Sequence, residues 1–186
     1  MRNIFPLVVA VVFGLAQPAC AQNTAADTFA DGKDDAKVHV ASGLVCPLKI
    51  GLFERDSVGV ADSETGADFC AYSALDGVYG TITLTPLAGA YDAKTSLAQE
   101  FTEQEQTGGK MIDESLPHGA MPSIYTRTYE TAKLEDLHYR VLFAGAAVGH
   151  WAVEATIEFA DPRDTPQEKL FLEAVYKAAQ SEIAAK

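Results

Sequence analysis

Residues 78–85 read VYGTITLT. Val78, Ile82 and Leu84 fall on one side of a period-two pattern, and Tyr79, Thr81, Thr83 and Thr85 fall on the other. Such alternation predicts a strand with one apolar and one polar face. The pattern returns at residues 151–159, where Trp151, Val153, Ala155, Ile157 and Phe159 share a face opposite Glu154, Thr156 and Glu158. Two half-apolar strands of this length need a second layer to cover their apolar sides.

Further strands are expected around this pair. Residues 123–129, SIYTRTY, are rich in β-branched and aromatic side chains and read as a half-exposed strand. Another strand is expected over 137–144, joined to the Trp151 strand by a hairpin across the glycine-bounded GAAVG of 145–149. The strand at 69–73 would meet the Val78 strand across Asp76-Gly77, a turn dipeptide.

Two segments read as helices. Thr165-Pro-Gln-Glu168 is a capping box, with Thr165 as N-cap, Pro166 at the first helical position and Glu168 reaching back. Behind it Leu170, Phe171, Ala174, Val175, Ala178 and Ile183 keep one stripe at helical spacing. The other helix is expected from about residue 93 to 106, with Leu97 and Phe101 facing inward and Gly108-Gly109 ending it. The expected class is α+β: an antiparallel sheet packed against a helix at about 93–106 and a C-terminal helix at about 166–184.

The N-terminal residues set the cellular context. Arg2, an apolar run from Ile4 to Leu15 and the small-residue sequence Ala19-Cys20-Ala21 have the layout of a secretory signal cleaved after Ala21. The run is shorter than a membrane span, so no transmembrane segment is expected in the mature chain. Lipidation at Cys20 is the alternative, and Gln17-Pro18 before it departs from the usual lipoprotein pattern. The small, acidic stretch 22–37 reads as a flexible linker, and a single domain is expected over 38–186. The mature chain would act in the periplasm or outside the cell.

Cleavage leaves Cys46 and Cys70. In an oxidising compartment an even pair reads first as a disulfide, here closing a loop of about 25 residues and stabilising the fold by roughly 3 kcal/mol. Zinc would need more soft ligands at close spacing, and a reactive thiolate would need a free cysteine beside a base.

The order of elements, strands then a helix, an antiparallel meander and a closing amphipathic helix, resembles the PsbP-like fold. The resemblance spans about residues 38–185. It implies a mostly non-catalytic family whose better-known members bind other proteins. It brings no functional residue with it, and the cysteine pair is not a feature of that family.

With 14 basic and 26 acidic residues the chain is strongly acidic. Loss of Arg2 with the signal leaves 13 basic residues and a net charge of −13. Such a surface disfavours nucleic acid and anionic lipid as partners. The sequence holds no nucleophile elbow, zincin motif, phosphate loop or dinucleotide fingerprint, so no catalytic residue, metal ligand or cofactor is assigned.

His39, His118, His138 and His150 make no local metal pair. His118 lies in a proline- and glycine-rich loop, 116–122, and is a candidate loop site. His150 reads as a strand residue opposite Trp151. Residues 62–68, DSETGAD, read as a solvated acidic turn rather than a calcium loop. Tyr125, Arg127 and Tyr129 alternate along one strand, and these types are enriched at interfaces, so they are the candidate interaction face.

The sequence therefore points first to an exported, disulfide-stabilised domain that binds another protein. A binder of small molecules or metal ions and a hydrolase with a dispersed site are the alternatives. The non-reduced mass of the exported protein is expected two hydrogens below that of the reduced chain starting at Gln22. Intact-mass measurement checks this, and free thiols or an added lipid mass would overturn the reading.

Overall fold

The computed structural model describes residues 28–75, 78–115, 124–131, 139–160 and 165–183. The residues read as a signal, Cys20, the turn expected at Asp76-Gly77 and the loop expected around His118 lie outside the described residues. Strands β1 (Phe29–Asp31), β2 (Lys37–His39) and β3 (Val45–Cys46) form a small three-stranded sheet. The main sheet has eight strands: β4 (Lys49–Ile50), β5 (Phe53–Asp62), β6 (Ala67–Ala74), β7 (Val78–Pro86), β8 (Lys110–Ser115), β9 (Tyr125–Glu130), β10 (Tyr139–Val148) and β11 (Trp151–Ala160). Helices α1 (Ala93–Ser96) and α2 (Ala98–Gln106) lie between β7 and β8, and α3 (Thr165–Ile183) closes the chain. The class is α+β.

The spatial order of the main sheet is β4-β5-β6-β7-β11-β10-β9-β8, with antiparallel neighbours throughout. Two meanders, β4 to β7 and β8 to β11, therefore meet at their last strands. After β7 the chain must reach the far edge to begin β8, and α1 and α2 make that crossing over one face, here called the back. They bury Ala93, Leu97 and Phe101 on Tyr125, Tyr129, Val141 and Phe143. Where one helix was expected there are two, parted at Leu97, whose ψ of 13° leaves the helical region and whose side chain is buried. Asp92 caps the first by accepting from the Thr95 N–H at 2.8 Å.

The front face carries the larger core. Ile82 and Leu84 of β7 pack with Val153, Ala155, Ile157 and Phe159 of β11, as their alternation requires. Helix α3 seats Phe171, Val175 and Tyr176 on this layer. Leu170, expected in the same stripe, is 46% exposed. The buried stripe is centred one residue further on, and Leu170 lies at its rim over Gly51. The side chains of Ala178 and Ile183 lie outside the described residues.

Other expectations are adjusted. β10 continues through 145–148, and only Gly149 and His150 form the turn. Gly145 stays in the strand because the missing side chain makes room for Ala93 and Leu97. His150 is thus an exposed turn residue, and its carbonyl accepts from the Leu87 N–H at 2.8 Å. Residues 28–37, read from sequence within the linker, carry β1, a 3-10 turn and the start of β2. Phe29 supplies the reason, since it is buried in the front core.

Gly80 lies under the Phe171 ring, and an added Cβ would sit 2.6 Å from its Cζ. Gly80→Ala is expected to lower stability by about 1–3 kcal/mol through overpacking. Gly89→Ala, with open space around it, should be near neutral. Urea unfolding of the two variants checks this, and equal effects would contradict the packing of α3 on β7.

Candidate functional site

Tyr125, Arg127 and Tyr129 do share one face of β9, as their alternation demands. That face is the back, beneath α2, so they do not form an exposed interaction face. Tyr129 is fully buried and Tyr125 nearly so, because the helix crossing covers them. They join a polar cluster instead. The Tyr125 hydroxyl donates to Glu114 Oε1 at 2.6 Å, and the Arg127 guanidinium donates to the same oxygen at 2.8 Å. Lys94 of α1 reaches it at 3.2 Å.

Arg127 also donates to the Tyr129 hydroxyl at 3.1 Å, which in turn donates to Glu105 Oε1 of α2 at 3.1 Å. The guanidinium lies 4.2 Å from the centre of the Phe101 ring, a cation–π contact. The cluster thus ties α1, α2, β8 and β9 together. Glu114, accepting from Tyr125, Arg127 and Lys94, is held down to a pKa of about 2. Burial, aided by Glu114, pushes the Tyr125 hydroxyl up. Burial opposes the charge on Arg127, but its bonds to Glu114 and Tyr129 outweigh that and raise its pKa.

A second constellation was not legible in the sequence. His39 at the end of β2, Ser42 in the turn after it and Asp68 in β6 meet at hydrogen-bond distance on the front side. Ser42 Oγ is 2.7 Å from His39 Nδ1, and His39 Nε2 is 2.9 Å from Asp68 Oδ2. The Ser42 N–H also donates to Nδ1 at 3.2 Å, which makes Nδ1 an acceptor and assigns the ring proton to Nε2. Ser42 Oγ accepts from the Leu44 N–H at 3.1 Å, leaving its own proton for Nδ1.

The order serine, histidine, aspartate has the connectivity of an acyl-transfer relay. However, Ser42 is only 2% exposed and His39 fully buried between Phe29 and Trp151. An acyl carbonyl has no path to Oγ in this conformation. The constellation fastens the small sheet to β6. Asp68 is correspondingly no part of the acidic turn expected over 62–68. The turn itself is built by Asp62, which accepts from the Glu64 N–H and the Thr65 hydroxyl, each at 2.9 Å.

Next to this clasp is the bond between Cys46 of β3 and Cys70 of β6, with Cα atoms 6.4 Å apart. Asp68 and Cys70 sit two apart on one face of β6, so the bridge and the clasp reinforce each other. The cysteines carry the one sequence signal for the clasp: once they pair, the residues flanking them become neighbours. His118 lies outside the described residues.

Among the described residues no group of three or more metal-ligating side chains converges, and no helix is long and apolar enough to cross a membrane. No protein-family model matches the chain, and neither a curated protein nor a solved structure shows significant similarity to it.

Glu114 gives a pH test. Its folded pKa is depressed, so its contribution is complete above the unfolded carboxylate range and is lost as pH falls toward about 2. Glu114→Gln is expected to destabilise the protein at pH 6, with the gap to wild type closing between pH 4.5 and 2. Denaturant midpoints across that range check it, and a pH-independent gap would contradict the ionised cluster.

Proposed function

We propose that the protein is an exported, disulfide-stabilised α+β domain that works by binding another protein in the periplasm or outside the cell. The observation that supports export is the Cys46–Cys70 bond, which joins the two sheets at fully buried positions, as a disulfide formed in an oxidising compartment would. The signal-like residues 1–21 and the resemblance to the PsbP-like fold agree with this reading.

A binding role draws on β8, which follows β9 and is the last strand of the sheet among the described residues. There Met111 and Ile112 are 51% and 43% exposed, apolar side chains on a terminal strand beside the buried Tyr125–Arg127–Tyr129 row. The contact surface in this proposal is therefore one strand further out than the alternation of 125–129 suggested. Exposed apolar side chains on a terminal strand suit an extended segment of a partner protein. The alternative of a hydrolase draws on the distances around His39, and the burial of Ser42 weighs against it.

Cross-linking of tagged protein exported by its native host, followed by capture, tests the proposal. A single partner at near-equal abundance is expected, with cross-links at β8, and Met111→Ser with Ile112→Ser should reduce the captured partner at least tenfold. Absence of any partner above background would turn the reading toward a small-molecule binder.

A further inference from the structure

We propose that β1, β2 and β3 form a separable cover on the front face, locked by the Cys46–Cys70 bond, and that reduction of this bond releases the cover as a unit while the eight-stranded sheet stays folded. The cover has strands of three, three and two residues. Sheets this small are not stable by themselves, so its order depends on what fastens it.

Several fastenings can be named among the described residues, beside the contact that α3 makes with β3. Cys46 is bonded to Cys70 of β6, and His39 donates to Asp68 of the same strand. Arg55 of β5 donates to the carbonyl oxygens of Cys46 and Asp35. Phe29 and Leu44 plug into the front core. Of these only the disulfide is covalent. The polar contacts exchange for water on opening and the plug re-solvates, whereas the bridge tethers the cover to β6 and limits how far it can open. The main sheet has fastenings of its own: long ladders between β5, β6, β7, β11, β10 and β9, and α3 over its front. Loss of the bridge therefore falls first on the cover.

The redox step is a thiol–disulfide exchange. A dithiol reductant attacks one cysteine sulfur, the mixed disulfide closes to the reductant's own cyclic disulfide, and both cysteines leave as thiols. The two electrons come from the reductant, and its two thiol protons balance those gained by the cysteines. Both cysteines are fully buried, so the attack itself requires a transient opening of the cover.

A reporter is built in. Trp151 is the single tryptophan of the chain, and His39 of the cover packs edge-on against it with ring centres 5.0 Å apart. Removal of the cover changes the surroundings of that indole without unfolding β11.

Hydrogen exchange of the full-length protein, with and without dithiothreitol, is the test. Amides in residues 37–46 are expected to exchange at least tenfold faster after reduction, with Trp151 emission shifting to the red and the rates in β10 and β11 unchanged. A paired Cys46→Ala, Cys70→Ala variant should match the reduced protein. Acceleration of cover and main sheet together, or of neither, would overturn the proposal. Reduction of wild type distinguishes these outcomes even if the variant fails to fold.

Discussion

The pairing of β7 with β11 is the constraint from which the rest of the architecture follows. The two strands are far apart in sequence and align from Pro86 opposite Trp151 to Tyr79 opposite Glu158. Since each ends its own meander, joining them at the centre places β8 at the far edge and obliges the intervening chain to cross the back face. Helices α1 and α2 are that crossing. The same register sets Gly80 opposite Ile157, and the space over the glycine receives Phe171, which positions α3. One cross-strand alignment thus decides where helices lie on both faces.

The two polar clusters occupy the places where weak elements attach. β8 is an exposed terminal strand, and α2 has no side-chain cap at its start. Glu114, Arg127 and the two tyrosines hold both to the sheet through charge-assisted hydrogen bonds, which are stronger than neutral ones. The small N-terminal sheet is attached in the same manner by His39 and Asp68, with a covalent bond beside them. Polar residues that look chemical in isolation are used as fasteners, because a buried polar group must be partnered and a partnered group spans the gap between elements.

For function, the consequence is a shift of attention from buried rows to edges. Tyr125, Arg127 and Tyr129 have the composition of an interface but are spent on internal contacts. The large apolar side chains left on the surface near them, Met111 and Ile112, belong to the strand beyond. The acidic balance of the chain gives any partner a negative surface to meet.

Local pattern carried much of the fold. The alternation at 78–85 and 151–159 identified two long strands and their core faces, and the capping box at Thr165 identified the last helix, since such signals depend only on near neighbours in sequence. β5 was less legible because register shifts at 55–57 and 60–62 break its alternation, and β8 because KMIDES is exposed along nearly its whole length. The face of Tyr125 was legible, but its burial was not: alternation says which side chains point together, never what lies over them. His39, Ser42 and Asp68 show the same limit, with the histidine and the aspartate 29 positions apart. By itself the sequence determined periodicity, caps, the paired cysteines and the charge. Only the tertiary structure decided which faces are covered and which distant polar groups meet, because both depend on the long-range pairing of strands.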